Sequence, residues 1–550
     1  MNGDGPRVTF LGRLISLALV AGVVWFGVRM VRQKGWWPRS AGGGGGGGTA
    51  AVSEVQREVP RLAAPAPYQL KDNTLVLEIS EYAGYAGLIA ANGGLAANTN
   101  SVFFKNGGFK VQLTMSEEES WSSLNSGTIG ASVTTVDVLA VYGRQFHVVV
   151  PAQIGFSRGA DGIVVRSDIK RVNDLKGRIV SAAQFTEVDF LIRYLAQEAG
   201  IGVRALDGLD APPDPDRINI VYTDDGFSAG DLFLQDLRSG KNRLAGCVTW
   251  EPKVSEVVAQ SNGKARLLTS NKNLLIIGDI LIVNEGLAQQ HPEIVAGLVR
   301  GLLEGNRMVR DHPAAYEDLV ATSFKWTREK TRGELAKVHL ANLPENLAFF
   351  SGAIDAGGSF AGIYQSAVLS YGTDVIPNPA DPDHFTNLAA LQALKQANAF
   401  PEQRLAIAPI RSASGGPLET NPLLSKDIRF LFEPNSATLD LNNADNLANL
   451  GAIKRLLQVS PGSTILLRGH VDNALVPEFR RRGGEAFVQQ MALKAMQLSK
   501  DRAGEIRRLL VEREGADPKR LEVVKRDWEE PVSGNSDLNR RVEVQWFTIE

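Results

Sequence analysis

The chain has 550 residues, 44% hydrophobic and 22% charged, which excludes wholesale disorder and leaves material for about three to four folded units. Its 59 Lys and Arg against 61 Asp and Glu give a net charge of −2, so no global field draws it to nucleic acid. A single cysteine, Cys247, and six scattered histidines exclude a disulfide framework, a Cys-rich zinc site and any HExxH or HxH pair. No metal and no cofactor is expected.

The first element is an apolar run, Leu14 to Val28, of 15 uncharged residues between Arg13 and Arg29. With both arginines snorkelling, the stretch 8–31 is long enough to cross a hydrocarbon core of about 30 Å as a helix. Trp25, Trp36 and Trp37 suit a membrane interface. WWPRS follows rather than a small-x-small cleavage signal, which favours an uncleaved anchor over a signal peptide. Residues 32–70, with the seven glycines of Gly42 to Gly48 and the APAPYQ stretch, read as a flexible tether. Arg29, Arg32, Lys34 and Arg39 outnumber Arg7 and Arg13 before the run. Taken alone, that bias would leave the C-terminal bulk in the cytoplasm.

From Thr74 short strands alternate with helices. LVLEI (75–79), FKVQLTM (109–115), TIGASVTT (128–135), FHVVVPAQ (146–153), GIVVRS (162–167), INIVYTD (218–224), LAGCVTW (244–250) and LLIIGDILIVN (274–284) read as strands. AGYAGLIAANGGL (83–95) and VDFLIRYLAQEAGI (188–201) read as helices. Such alternation predicts parallel sheets covered by helices, and its length predicts two α/β lobes within 71–400. Residues 401–422 read as a second linker. The remainder, 423–550, is long enough for one small α/β domain. Its pattern of DIRFLFEPNSATLD, a helix over 442–458, STILLRGHVDN, a helix over 498–515, RLEVVKRD and NRRVEVQWF predicts a βαβαββ order.

Several pieces in order within 70–350 carry a resemblance: LVLEISEYAGYAGLIAANGGL, SLNSGTIGASVTTVDVL, DLKGRIVSAAQFTEVDFLIRYLAQEAGI, CVTWEP and NEGLAQQHPEIVAGLVRGLLEGNRMV. Together they resemble periplasmic solute-binding proteins of the nitrate/sulfonate/taurine and thiamine-precursor type of ABC importers. The resemblance implies a two-lobed α/β fold that closes on a small-molecule solute. In open α/β sheets ligands sit beyond the carboxyl ends of the strands, so the candidate ligand loops carry Tyr82, Tyr85, Thr134, Thr135, Ser157, Arg158, Thr186, Asp189, Trp250 and Glu251. Tyr82 and Tyr85 can stack or donate, the hydroxyls can donate, and Arg158 is the candidate counter-charge for an anion. Thr134 as a helix cap, Trp250 as interlobe packing and Arg158 as a solvated side chain are open alternatives. Asp161, Asp189, Asp224, Asp225 and Glu251 make these loops acidic, which argues against a simple oxyanion and leaves a zwitterion or an amine-bearing solute open. One relative of the fold makes a thiamine pyrimidine with a consumed histidine and a Cys-rich loop. This chain has one cysteine and no histidine in these loops, so no enzyme is expected. LAGC (244–247) looks like a lipobox but lies far from an N-terminus.

FEPNSATL, GHVDN, LSKDRA, GADPKRL and NRRVEV, in that order over 423–550, resemble the OmpA-like peptidoglycan-binding domain. The resemblance assigns Asp472 and Arg502 to a clamp on the diaminopimelate of the wall peptide, with Asn435 as a further polar contact. One carboxylate and one guanidinium in fixed geometry suit a zwitterionic amino-acid head. The loop between Asp472 and Leu498 is longer than usual in that family and basic, with Arg480, Arg481 and Arg482 before Gly483 and Gly484. The expected whole is a single-pass inner-membrane receptor with its bulk in the periplasm, binding a solute and peptidoglycan beside an inner-membrane transporter or complex. The rival is a wall-anchored scaffold or stator-like protein. Proton-driven motor subunits carry an acidic residue in the membrane helix, and 14–28 has none.

Overall fold

The computed structural model describes residues 51–116, 120–352, 358–407, 423–426, 428, 430, 432, 436–460, 463–525, 539 and 541–547. The expected membrane helix 8–31, the glycine tract and Asn435 lie outside the described residues. Among the described residues no helix is long and apolar enough to cross a membrane.

Among the described residues sixteen strands build three sheets. They are β1 (Thr74–Ile79), β2 (Lys110–Met115), β3 (Ala131–Thr135), β4 (Val148–Ser157), β5 (Asp161–Arg166), β6 (Ile179–Ala183), β7 (Gly202–Ala205), β8 (Arg217–Thr223), β9 (Leu244–Trp250), β10 (Ala265–Ser270), β11 (Gly278–Asn284), β12 (Val338–Leu340), β13 (Leu424–Lys426), β14 (Thr464–Gly469), β15 (Leu521–Lys525) and β16 (Val542–Phe547). The first lobe has the order β12-β4-β11-β3-β1-β2 and the second β10-β5-β9-β6-β8-β7. The sheets are mixed rather than parallel: β1 runs parallel to β2 and β3, whereas β11 lies antiparallel to β3 and β4. The reason is topological. β4 leaves the first sheet and enters the second as β5 after three residues, and β10 returns as β11 through 271–277, with no covering helix to reverse direction in either case. These two crossings join the lobes.

Strand composition follows burial. β1 alternates half-buried and buried positions, while every residue of β11 is buried, as expected for a strand covered on both faces. The helix Pro292–Asp311 packs directly on the helix Ala86–Asn92. A Cβ on Gly305 would lie 2.0 Å from the Gly87 carbonyl oxygen, so only glycine permits that crossing.

Residues 51–70, the second half of the expected tether, lie as an extended strap along both lobes. Ser53 N–H donates to Tyr222 O (2.8 Å) and its hydroxyl to Asp224 (2.5 Å) on the second lobe. Leu62 N–H donates to Gln145 Oε1 (2.9 Å) and Ala66 N–H to Asn125 O (2.9 Å) on the first. Val55, Val59 and Leu62 pack on the core, which flexible glycine-rich sequence could not do. The helix Phe360–Tyr371 also spans the lobes, packing on the helix Val136–Tyr142 of the first and the helix Glu187–Glu198 of the second.

The third sheet has the order β13-β16-β14-β15, and its elements follow the βαβαββ sequence. Trp546 is fully buried at its centre. The basic insert is not a loop: the helix Val476–Glu512 runs through it, broken only at Gly483 and Gly484. This domain docks on the two lobes. Leu275 N–H, in the second crossing, donates to Val459 O at 2.7 Å, Val172 N–H donates to Leu423 O at 2.9 Å, and Lys426 pairs with Glu198 at 3.1 Å.

Candidate functional site

The carboxyl ends of β1 and β3 face those of β6 and β9 across the crossings, and of the ten expected ligand residues Tyr82, Tyr85, Thr135, Ser157 and Trp250 lie at these ends. Tyr82 follows β1 and stands edge-to-face with Tyr85, ring centroids 5.2 Å apart. Its hydroxyl makes a long bond, 3.4 Å, to Asp279 Oδ2. Asp279, the second residue of β11, lies directly opposite Thr135 in the antiparallel register, so the two side chains share a face. Asp161 opens β5 opposite Trp250 of β9 in the same manner. Its Oδ2 accepts from the Ser157 hydroxyl (2.5 Å) and from Asn271 Nδ2 (2.9 Å), tying the two crossings together.

The electrostatics are acidic. Asp279 is 3% exposed and Asp161 4%, and neither forms an ion pair with any described residue. Burial raises the Asp161 carboxyl to about 6, opposed by its Ser157 and Asn271 hydrogen bonds and assisted by the Glu251 charge. Burial, with the charges of Asp161 and Asp137, holds Asp279 well above the usual carboxylate range. Burial first, and then the same two carboxylates of Asp279 and Asp161, raises the Tyr82 phenol.

The remaining expected residues divide. Thr135 caps the helix Val136–Tyr142 by position, yet its hydroxyl makes no cap bond; Oγ1 of Thr135 and Oγ1 of Thr134 are both buried without a partner. Thr134 pairs with Ile280 and so faces the opposite side of the sheet. Arg158 directs its guanidinium to Lys272 O (3.1 Å) and Asn273 Oδ1 (3.3 Å), within the crossings. Thr186 donates to Ala183 O (2.9 Å) and its carbonyl accepts from Tyr371 of the bridging helix (3.3 Å). Asp189 is spent on Arg193 (2.8 Å), Tyr222 (3.1 Å) and Phe185 N–H (3.2 Å) inside the second lobe. Trp250 stands edge-to-face with Phe227, centroids 5.8 Å apart. Glu251 accepts from Ser255 and pairs across the lobes with Lys337 at 2.9 Å. Asp279, Asn271 and Lys337 are missed from sequence. The signal for Asp279 is a carboxylate inside an otherwise apolar strand, LLIIGDILIVN.

In the C-terminal domain Asp472 lies on the loop after β14, where its Oδ1 accepts from Ala474 N–H at 3.1 Å. Arg502 is fully buried on the facing helix, donating to Ser436 O (3.0 Å) with its guanidinium 5.1 Å over the Phe432 ring. A Cβ on Gly469 would lie 2.0 Å from Ser499 O, so glycine lets the strand end that leads to Asp472 touch the helical turn that leads to Arg502. Below them Glu543 is held down to about 2: burial works against ionisation, but His470 and Arg468 prevail. Cys247 is buried and its thiol is pushed well up by burial, which leaves it inert.

Residues 93–316 match the NMT1/THI5-like family model, and residues 431–545 match the OmpA family model. No curated protein matches. The periplasmic aliphatic sulphonate binding protein SsuA from Escherichia coli is 17% identical, over 57% of this chain and 97% of that one, with a TM-score of 0.43. The alkanesulfonate-binding protein SsuA from Xanthomonas axonopodis pv. citri, bound to MOPS, is 15% identical over 58% and 100%, with a TM-score of 0.42. The desulfurization enzyme DSZB is 16% identical over 59% and 99%, with a TM-score of 0.39. The two-lobed assignment itself rests on the sheet orders and the paired crossings. The chain thus carries an NMT1/THI5-like domain of two-lobed α/β architecture, followed by an OmpA-family domain.

Proposed function

We propose that the protein is an envelope solute receptor, which captures a small molecule between its lobes and holds peptidoglycan through its C-terminal domain. The observation that carries the first half is the convergence of Tyr82, Thr135, Asp161, Asp279 and Trp250 at the facing strand ends, beside two crossings that serve as a hinge. The second half is supported by the OmpA-family match and by the close approach of the turns bearing Asp472 and Arg502. Both domain types support a location in the cell envelope. The apolar run 14–28 supports an inner-membrane anchor, with an importer or other inner-membrane complex as partner.

Peptidoglycan pull-down tests the wall contact. Asp472→Ala and Arg502→Ala each should lose retention on insoluble wall; unchanged retention of both removes the clamp. A reporter fused after Glu550 should be active in the periplasm, and cytoplasmic activity would overturn both location and wall contact.

A second reading is a wall-held scaffold with a solute fold that no longer opens. The strap 51–70, bonded to both lobes, and the helix Phe360–Tyr371, packed on both, favour it. A broad thermal-shift screen of the full chain separates the two: one clear stabiliser supports the receptor, and none supports the scaffold.

A further inference from the structure

Two buried carboxylates from opposite sides of the crossings, Asp279 at the start of β11 and Asp161 at the start of β5, lie within electrostatic reach of one another, and neither is paired with a cation among the described residues. A buried carboxylate that lacks a counter-charge costs several kcal/mol unless it takes a proton. Two other buried carboxylates are paired instead: Glu345 has Arg310 at 3.0 Å and His339 at 3.0 Å, and Asp189 has Arg193 at 2.8 Å. Asp161 spends one oxygen on Ser157 and Asn271, and Asp279 has the long contact from Tyr82 and its own backbone N–H.

A second observation is independent of the acidic pair. The Thr135 hydroxyl, 93% buried by its 7% exposure, has no partner even though it occupies a helix N-cap position. The register sets it on the same face as Asp279, so an unsatisfied hydroxyl is aimed at the same space. Such a group costs about 1–3 kcal/mol unless something hydrogen-bonds to it. Aromatic rings stand to either side, Tyr82 and Tyr85 from the first lobe, and Trp250, cross-strand from Asp161, from the second. Aromatic faces and carboxylates together suit a positively charged nitrogen. Arg158, the candidate counter-charge for an anion, is engaged by Lys272 O and Asn273.

We infer that the cleft selects a solute bearing a cationic nitrogen, an ammonium or amidinium seated between Asp279 and Asp161, rather than an oxyanion. The inference rests on the receptor reading and specifies its ligand. Binding has a signature, because carboxylates that hold a proton in the empty cleft release it when the cation enters. The groups that face Asp161 are Tyr82, Asp279 and Glu251, with Lys337 beyond Glu251 and Asp137 beyond Asp279. Only Lys337 among them is basic, and it is bonded to Glu251 and Glu334.

The test is calorimetric titration of the full chain with butylamine, choline, agmatine and 4-aminopyridine, and with butanesulfonate, nitrate and taurine as counter-probes. At least one cation should bind with proton release, detected as a dependence of the heat on buffer ionisation. Asp279→Asn and Asp161→Asn should each weaken it at least about tenfold. Both variants should keep the wild-type circular dichroism and unfold no earlier, since asparagine replaces a buried acid that has no counter-charge. Thr135→Val should weaken it less. Binding of butanesulfonate or nitrate, unchanged or strengthened in Asp279→Asn, would overturn the cation assignment and leave the receptor intact. Binding of no probe, together with no stabiliser in the broad screen, would overturn the receptor itself.

Discussion

The interlobe cleft and the C-terminal domain treat a carboxylate shielded from water in opposite ways. In the C-terminal domain Glu543 lies 2.9 Å from Arg468 and 3.5 Å from His470, and its acidity rises until it titrates near 2. In the cleft Asp161 and Asp279 have hydroxyls and an amide but no cation, and their acidity falls. A paired buried charge belongs to the architecture, because its partner is supplied by the same chain. An unpaired one is a cost that the fold carries by itself and that a ligand can remove.

The largest way to break this comparison is to unpair the architectural charge. Arg468→Ala should destabilise the C-terminal domain by about 3 kcal/mol, read from denaturant unfolding, because it leaves the half-buried Glu543 carboxylate with His470 alone. A loss under about 0.5 kcal/mol would place Glu543 in water rather than in a structural pair.

Acid should then split the two regions. Glu543 has a folded value below its ordinary 4.5, so its contribution is present above that value and is lost as pH falls toward about 2; the span corresponds to at most about 3 kcal/mol. Asp161 has the reverse sign. Its folded value of about 6 exceeds the ordinary 3.8, so the native state gains from its protonation and loses stability as pH rises from about 4 through 6. Asp161→Asn should therefore raise stability at pH 7 by about 1–3 kcal/mol and flatten that part of the profile. A variant less stable than wild type at pH 7 would mean that the ionised carboxylate has a partner.

The smallest effect concerns the latch between lobes. Lys337→Ala removes the pair with Glu251 and should cost about 1 kcal/mol or less, because Lys337 is partly exposed. Faster amide exchange at Arg158, whose N–H donates to Lys337 O at 2.8 Å, should report it.

Much of this was legible in the sequence. Alternating strand and helix patterns marked two lobes and a βαβαββ domain, since apolar periodicity reports which faces are buried. Tyr82, Thr135, Ser157 and Trp250 were legible because loops after strand ends are where open sheets expose side chains. Asp279 was overlooked, as its run reads as a buried strand and its partner Thr135 lies 144 positions away by number. Arg158 and Asp189 look ligand-ready in a string of letters. Their hydrogen bonds go instead to Asn273 and Lys272, and to Arg193 and Tyr222, groups that only folding brings near.

By itself the sequence determined the kinds of element, the two domain types and the presence of acidic loops, because these depend on local periodicity and on short motifs. The tertiary structure decided the direction of the strands at the crossings, the bridging of the lobes by strap and helix, and the docking of the C-terminal domain on Leu275. It also decided which carboxylates go unpaired. Pairing is set by distance and burial among residues far apart in the chain, and the net charge of −2 averages those local imbalances away.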